Sequence, residues 1–118
     1  MIPDGDTIRI HLSEITGEAK WYTYKGKTLI KFFVVRAADE SIKAGFDACD
    51  VCYRSGKGYT QDGEFMVCNN CGLTYPISDL GTENRSPGGC WPGYLPTSLD
   101  GEYLLIKIHD LEARGWMF

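Results

Sequence analysis

Two C-x-x-C pairs limit what this chain can become more than any other feature: Cys49-Asp50-Val51-Cys52 and Cys68-Asn69-Asn70-Cys71-Gly72, with fifteen residues between them. Two residues between cysteines let one tight turn aim both sulfurs at a single point. Amide N–H groups of the same turn can then hydrogen-bond the thiolates and offset their charge. Gly72 suits the second turn, because a residue just past the second sulfur often needs positive φ, which glycine adopts without steric cost. The interval between the pairs carries its own hairpin signal, Tyr59-Thr60-Gln61, the turn dipeptide Asp62-Gly63, then Glu64-Phe65-Met66-Val67. Such a hairpin delivers Cys68 at the end of its second strand and brings the second pair opposite the first. Disulfides are the default in small secreted scaffolds, but five cysteines is an odd count, and the paired spacing fits metal ligation better. Cys49, Cys52, Cys68 and Cys71 are therefore the expected ligands of one four-thiolate centre.

Spacing alone leaves the metal open. C-x-x-C followed after about 15 to 20 residues by another C-x-x-C is a structural zinc signature. A single iron of the rubredoxin type and a 2Fe-2S cluster use the same thiolates at the same spacing, and copper ranks last. Four thiolates saturate a zinc ion and a 2Fe-2S cluster alike, leaving no open position for a substrate. The chain also has no nucleophile with a paired base and no phosphate-cradling glycine motif, so no catalytic residue is expected.

The rest of the sequence reads as one β-rich domain over residues 1–118. At 118 residues the chain can bury one modest core, and 43% apolar, 13% aromatic and 24% charged residues describe a globular protein. Thr7 to Leu12 alternates, with Ile8, Ile10 and Leu12 on one face and Arg9 and His11 on the other. Trp21 to Tyr24 reads as a second strand, and Leu29 to Val35, the most apolar run, as a central one. Ile42 to Ala48 leads straight into the first cysteine pair. Leu73 to Tyr75 is a strand that Pro76 confines to an edge or ends, and residues 78–100 read as a loop rich in Gly, Pro and Ser. Asp100-Gly101 turns into a last strand, Glu102 to Ile108; no helix of normal length is expected, and the tail from Asp110 carries no signal. The expected fold is mostly β, a small antiparallel sandwich or barrel with two metal-binding loops. A net charge of -4 gives no basic stripe for phosphates, so nucleic acid is an unlikely partner. No stretch approaches the roughly 18 apolar residues that span a bilayer, so the chain as given is expected to be soluble. Met1 to Gly5 reads as an initiator shortly before the first strand, with an upstream anchor or signal left open.

Several of these segments together resemble a known family. Lys31 to Val35, Ala44-Gly45-Phe46-Asp47-Ala48-Cys49-Asp50-Val51-Cys52-Tyr53, Gly56-Lys57-Gly58-Tyr59, Met66 to Gly72, Gly88-Gly89-Cys90-Trp91-Pro92 and Tyr103 to Lys107 are similar to the FtrD-like family. Its members are iron-sulfur-containing, usually membrane-anchored proteins linked to bacterial ferrous iron transport. The resemblance covers nearly the whole chain and moves the expected cofactor toward a 2Fe-2S cluster, with zinc or a single iron as alternatives. It implies an electron-transfer module on the extracytoplasmic face of the cytoplasmic membrane, with a redox protein or membrane transport component as partner. The competing reading is a zinc-stapled binding module without a redox role.

The layout also resembles a Rieske domain, in which two ligand loops leave a small antiparallel fold and a proline-bearing loop covers the cluster. Gly88 to Pro92 falls where that covering loop would lie. On this resemblance Cys49 and Cys68 hold one iron and Cys52 and Cys71 the other. The departure is that Rieske loops carry histidines, whereas both loops here carry only cysteine, which should favour the oxidised cluster. Cys90 is expected near the centre without being one of its four ligands; a packed thiol, an alternative ligand and an intermolecular disulfide are the readings for it. His11 and His109 are expected on the solvated faces of their strands. Trp91 and Tyr94 either dock a partner or cap the core, and Asp47 and Asp50, which flank the first pair, are expected to be solvated, the alternative being that they tune the centre or accept an incoming cation.

Overall fold

The computed structural model describes residues 2–48, 56–70, 72–80, 92 and 95–118. These form three antiparallel sheets. The first has the order β1-β2-β10-β9, from β1 (Ile2–Asp4), β2 (Thr7–His11), β9 (Ser98–Asp100) and β10 (Tyr103–Lys107). The second is β3-β4-β5, from β3 (Lys20–Lys25), β4 (Leu29–Arg36) and β5 (Ile42–Phe46). The third, β6-β7-β8, is built from β6 (Tyr59–Asp62), β7 (Phe65–Cys68) and β8 (Thr74–Pro76).

The alternation in β2 does what the sequence implies: Ile8 and Ile10 are fully buried, and across the ladder they meet Ile106 and Leu104 of β10. With Ile30, Phe32, Val34, Ala44, Phe46 and Leu95 they close the first core between the first two sheets. The long apolar run of β4 has a separate cause. Its Ile30, Phe32 and Val34 face the first core, while Phe33 and Val35, on the opposite face, join a second core under the hairpin sheet. On that opposite face Leu29 and Lys31 are exposed, so the hairpin sheet covers only the far half of the strand. Burial on both faces explains why the sequence stops alternating there.

Three expectations are corrected. Residues 2–4 are a strand paired with β2, Ile2 opposite Arg9, and not merely a lead-in. The segment read as loop to residue 100 ends in β9, which pairs with β10. The tail forms a short helix α1 (Ile108–Glu112) and a 3-10 turn, Gly115–Met117; Leu111 is fully buried and Phe118 lies 6.3 Å from the Phe46 ring. His109 is accordingly on α1 and not on a strand, though it is exposed as expected. The tail was silent in sequence because one helical turn carries no readable periodicity.

Candidate metal centre

The hairpin works as foreseen, with a small shift in its turn. Asp62 pairs with Phe65, leaving Gly63 and Glu64 as the two-residue loop, and Gly63 has φ +60° as a primed turn requires. β7 then ends on Cys68, 2% exposed, in the second core with Phe33, Tyr59, Met66 and Tyr75. Pro76 ends β8, the edge strand of this sheet, opposite Phe65.

Two backbone hydrogen bonds shape the second cysteine turn. The Cys68 N–H donates to the Leu73 carbonyl at 2.9 Å, and the Gly72 N–H donates to the Cys68 carbonyl at 2.8 Å. Gly72 has φ +77°, the left-handed conformation anticipated for it. Asn69, inside the turn, is tied to the strand opposite: its N–H reaches the Gly58 carbonyl at 3.0 Å, its Nδ2 reaches the Lys57 carbonyl at 2.9 Å, and its Oδ1 accepts from Thr60 Oγ1 at 2.9 Å.

The strand that leads to the first pair comes to the same place. Asp47 Oδ1 accepts from the Tyr59 N–H at 2.9 Å and from Trp21 Nε1 at 3.1 Å, and Tyr59 is the cross-strand partner of Cys68. A Cβ on Gly58 would stand 2.8 Å from the Asp47 Cγ, and Gly58 has φ +66°, so glycine is needed there on both counts. Burial raises the Asp47 carboxyl above its ordinary value, against the opposing pull of the Tyr59 and Trp21 hydrogen bonds and the Lys31 charge. The expectation that Asp47 is solvated is thus corrected: it is a half-buried acceptor.

Pro92 is buried, and its Cβ lies 3.0 Å from where a Cβ on Gly45 would stand, beside the Phe33 ring. Gly45 and Asp47 share one face of the β5 segment, so Pro92, Phe33, Asp47 and the Tyr59–Cys68 pair all belong to the side of β4 and β5 that the hairpin sheet covers. Cys49, Cys52, Cys71, Cys90, Asp50, Trp91 and Tyr94 lie outside the described residues. Among the described residues no group of three or more metal-binding side chains occurs, since Cys68 alone of the four cysteines is described. His11 is engaged elsewhere, with Ser13 Oγ at 2.7 Å and Glu102 at 3.4 Å.

A family model described as "membrane iron-sulfur containing protein FtrD-like" matches residues 14–118. The chain belongs to the FtrD-like family. Among curated proteins none matches this FtrD-like chain. Among solved structures, it is similar to the quaternary ammonium Rieske monooxygenase CntA, crystallised with an inhibitor, with a TM-score of 0.57 at 14% identity. The alignment covers 87% of the FtrD-like chain and 31% of the monooxygenase chain. At that identity the likeness concerns the fold, which is mostly β and Rieske-like. Among the described residues no helix is long and apolar enough to cross a membrane.

The residues present fit an iron-sulfur group. Cys68 is a buried soft sulfur donor at the end of β7, and soft sulfur donors select iron-sulfur clusters and zinc over hard cations.

Proposed function

We propose that this FtrD-like chain is an electron-transfer module holding a 2Fe-2S cluster on Cys49, Cys52, Cys68 and Cys71, and that it serves membrane iron uptake or a related redox system. The family match over residues 14–118 carries this reading. The Rieske-like fold supports the cluster type, and Asp47, which is tied to the cross-strand neighbour of Cys68 and stands two residues before Cys49, supports a common site for the two pairs. On the Rieske-like arrangement Cys49 and Cys68 share one iron and Cys52 and Cys71 the other.

When bound, the cluster supplies one-electron chemistry. The protein's own part is to hold and screen it. Phe33, Tyr59, Met66 and Tyr75 pack around Cys68 and keep water from its side of the site. The Gly72 N–H closes the turn on the Cys68 carbonyl, and Pro92 packs against Gly45. Four cysteine ligands leave no open position, so the role is that of a carrier and not a catalyst, facing a redox protein or membrane transport component at the extracytoplasmic side of the cytoplasmic membrane. The expected result of anaerobic purification is about two irons and two acid-labile sulfides per chain, with a reducible visible spectrum. Stoichiometric zinc without sulfide would establish the zinc-stapled binding module instead, and one iron without sulfide the rubredoxin-type site.

A further inference from the structure

We infer that Asp47 is a positioning residue for Cys68 and its turn, by clasping the strand that lies beside Cys68. This rests on the four-cysteine reading above and adds to it a residue outside the ligand set. The clasp has three parts. Asp47 sits two residues before Cys49, at the end of β5, and its Oδ1 takes both the Tyr59 N–H and Trp21 Nε1, at 2.9 and 3.1 Å. Gly58 is bare of a side chain where the Asp47 carboxylate rests against it. The Lys57 and Gly58 carbonyls in turn hold Asn69, inside the second cysteine turn, at 2.9 and 3.0 Å.

The path from Asp47 to the turn that holds Cys68 is therefore short: hydrogen bonds join Asp47 to Tyr59 and Gly58 to Asn69, with Cys68 adjacent to Asn69 and opposite Tyr59. A directional bond of this kind resists sliding more than side-chain packing does. Trp21, on the edge strand β3, completes the clasp from the outside, its ring 6.0 Å from Phe33. Groups that orient metal ligands typically contribute 10- to 100-fold to metal affinity.

The test uses the full chain and three variants. Asp47→Asn keeps the Oδ1 acceptor, Asp47→Ala removes it, and Trp21→Phe removes one donor while retaining a ring against Phe33. Bound metal, whether iron or zinc, is followed as it is released to a chelator. Release should quicken about tenfold in Asp47→Ala and about threefold in Trp21→Phe, and stay within about twofold of the parent in Asp47→Asn. In metal-stripped protein, amide exchange at Tyr59 should accelerate in Asp47→Ala and be protected again in Asp47→Asn. Wild-type release together with unchanged Tyr59 exchange in Asp47→Ala would overturn the inference; if that variant does not fold, wild-type behaviour of Trp21→Phe overturns it. Zinc in place of a cluster would refute the electron-transfer reading and leave the clasp to stand or fall on release and exchange.

Discussion

The core between the first two sheets is closed entirely by aliphatic and aromatic side chains, whereas the smaller core under the hairpin sheet counts Cys68 among its members, beside Phe33, Tyr59, Met66 and Tyr75. The first core ties elements from both ends of the chain, from Ile8 to Leu111, and needs nothing but water exclusion to form. The second places a metal-binding sulfur in apolar surroundings, so on the proposed reading its packing is coupled to the metal. The two regions share one strand, β4, which gives Phe32 to the first and Phe33 to the second. A chain divided in this way should keep its framework when the metal is lost and loosen only where the metal was held.

The largest effect belongs to the first core. Phe46 is fully buried, touches Phe118 at 6.3 Å and pairs with Phe32 across the ladder. Phe46→Ala should cost about 3–5 kcal/mol, by chemical denaturation, and by the same amount in loaded and metal-stripped protein. A cost that depends on metal would break the division between the two cores.

Next in size is Cys68→Ser. Metal content should fall to a small fraction of the parent's and the thermal unfolding temperature should drop, since ligation supplies folding energy. Hydrogen exchange sharpens the comparison: amides of β6, β7 and β8 should lose protection, while those of β2, β4 and β10 keep theirs. Unchanged unfolding would remove any structural part for the metal, and uniform loss of protection would merge the two regions into one.

The same division explains what could be read in advance. Alternation in β2 announced the first core, because water on one face and packing on the other leave a period of two, and the unbroken apolar run of β4 announced a strand buried on both faces. The hairpin was legible from Asp62-Gly63, and the second cysteine turn from Gly72. β1, β9 and α1 were not, since segments of three to five residues owe their form to the neighbours they meet and carry little pattern of their own. The partners of Asp47 were not legible either, because its surroundings are assembled from Trp21, Gly58 and Tyr59, residues distant in sequence whose convergence only the fold creates.

Cys90 should matter less than Cys68. Four other cysteines satisfy the ligand count, and its loop neighbour Pro92 is buried against Gly45. Cys90→Ser is expected to retain full metal occupancy while altering the reduction potential, because solvent access and hydrogen bonding near a cluster tune it. Loss of metal in this variant would make Cys90 a ligand and one of the four a bystander; occupancy and potential both unchanged would make it a plain packed thiol.

The smallest effect is electrostatic and lies at the edge of the first region. Glu14 Oε1 accepts from Lys20 Nζ at 3.1 Å and from the Tyr22 hydroxyl at 3.5 Å, and Tyr22 stacks on Phe32 with ring centroids 5.5 Å apart. The Lys20 hydrogen bond holds the Glu14 carboxyl below its ordinary value of 4.5 and raises the Lys20 ammonium above its ordinary 10.5. A carboxyl whose folded value is depressed contributes stability that is present above the unfolded value and lost as pH falls through the folded one. The Lys20 contribution is present below its unfolded value and lost as pH rises through the folded one, so the pair acts across the neutral range between them. Glu14→Gln should therefore lower the unfolding temperature slightly at pH 7, and the difference from the parent should shrink in acid. Because both groups are largely exposed, added salt should shrink it as well. The difference should be the same with and without metal; a metal-dependent one would mean that β3, which carries Trp21 as well as Lys20, transmits the state of the second region into the first.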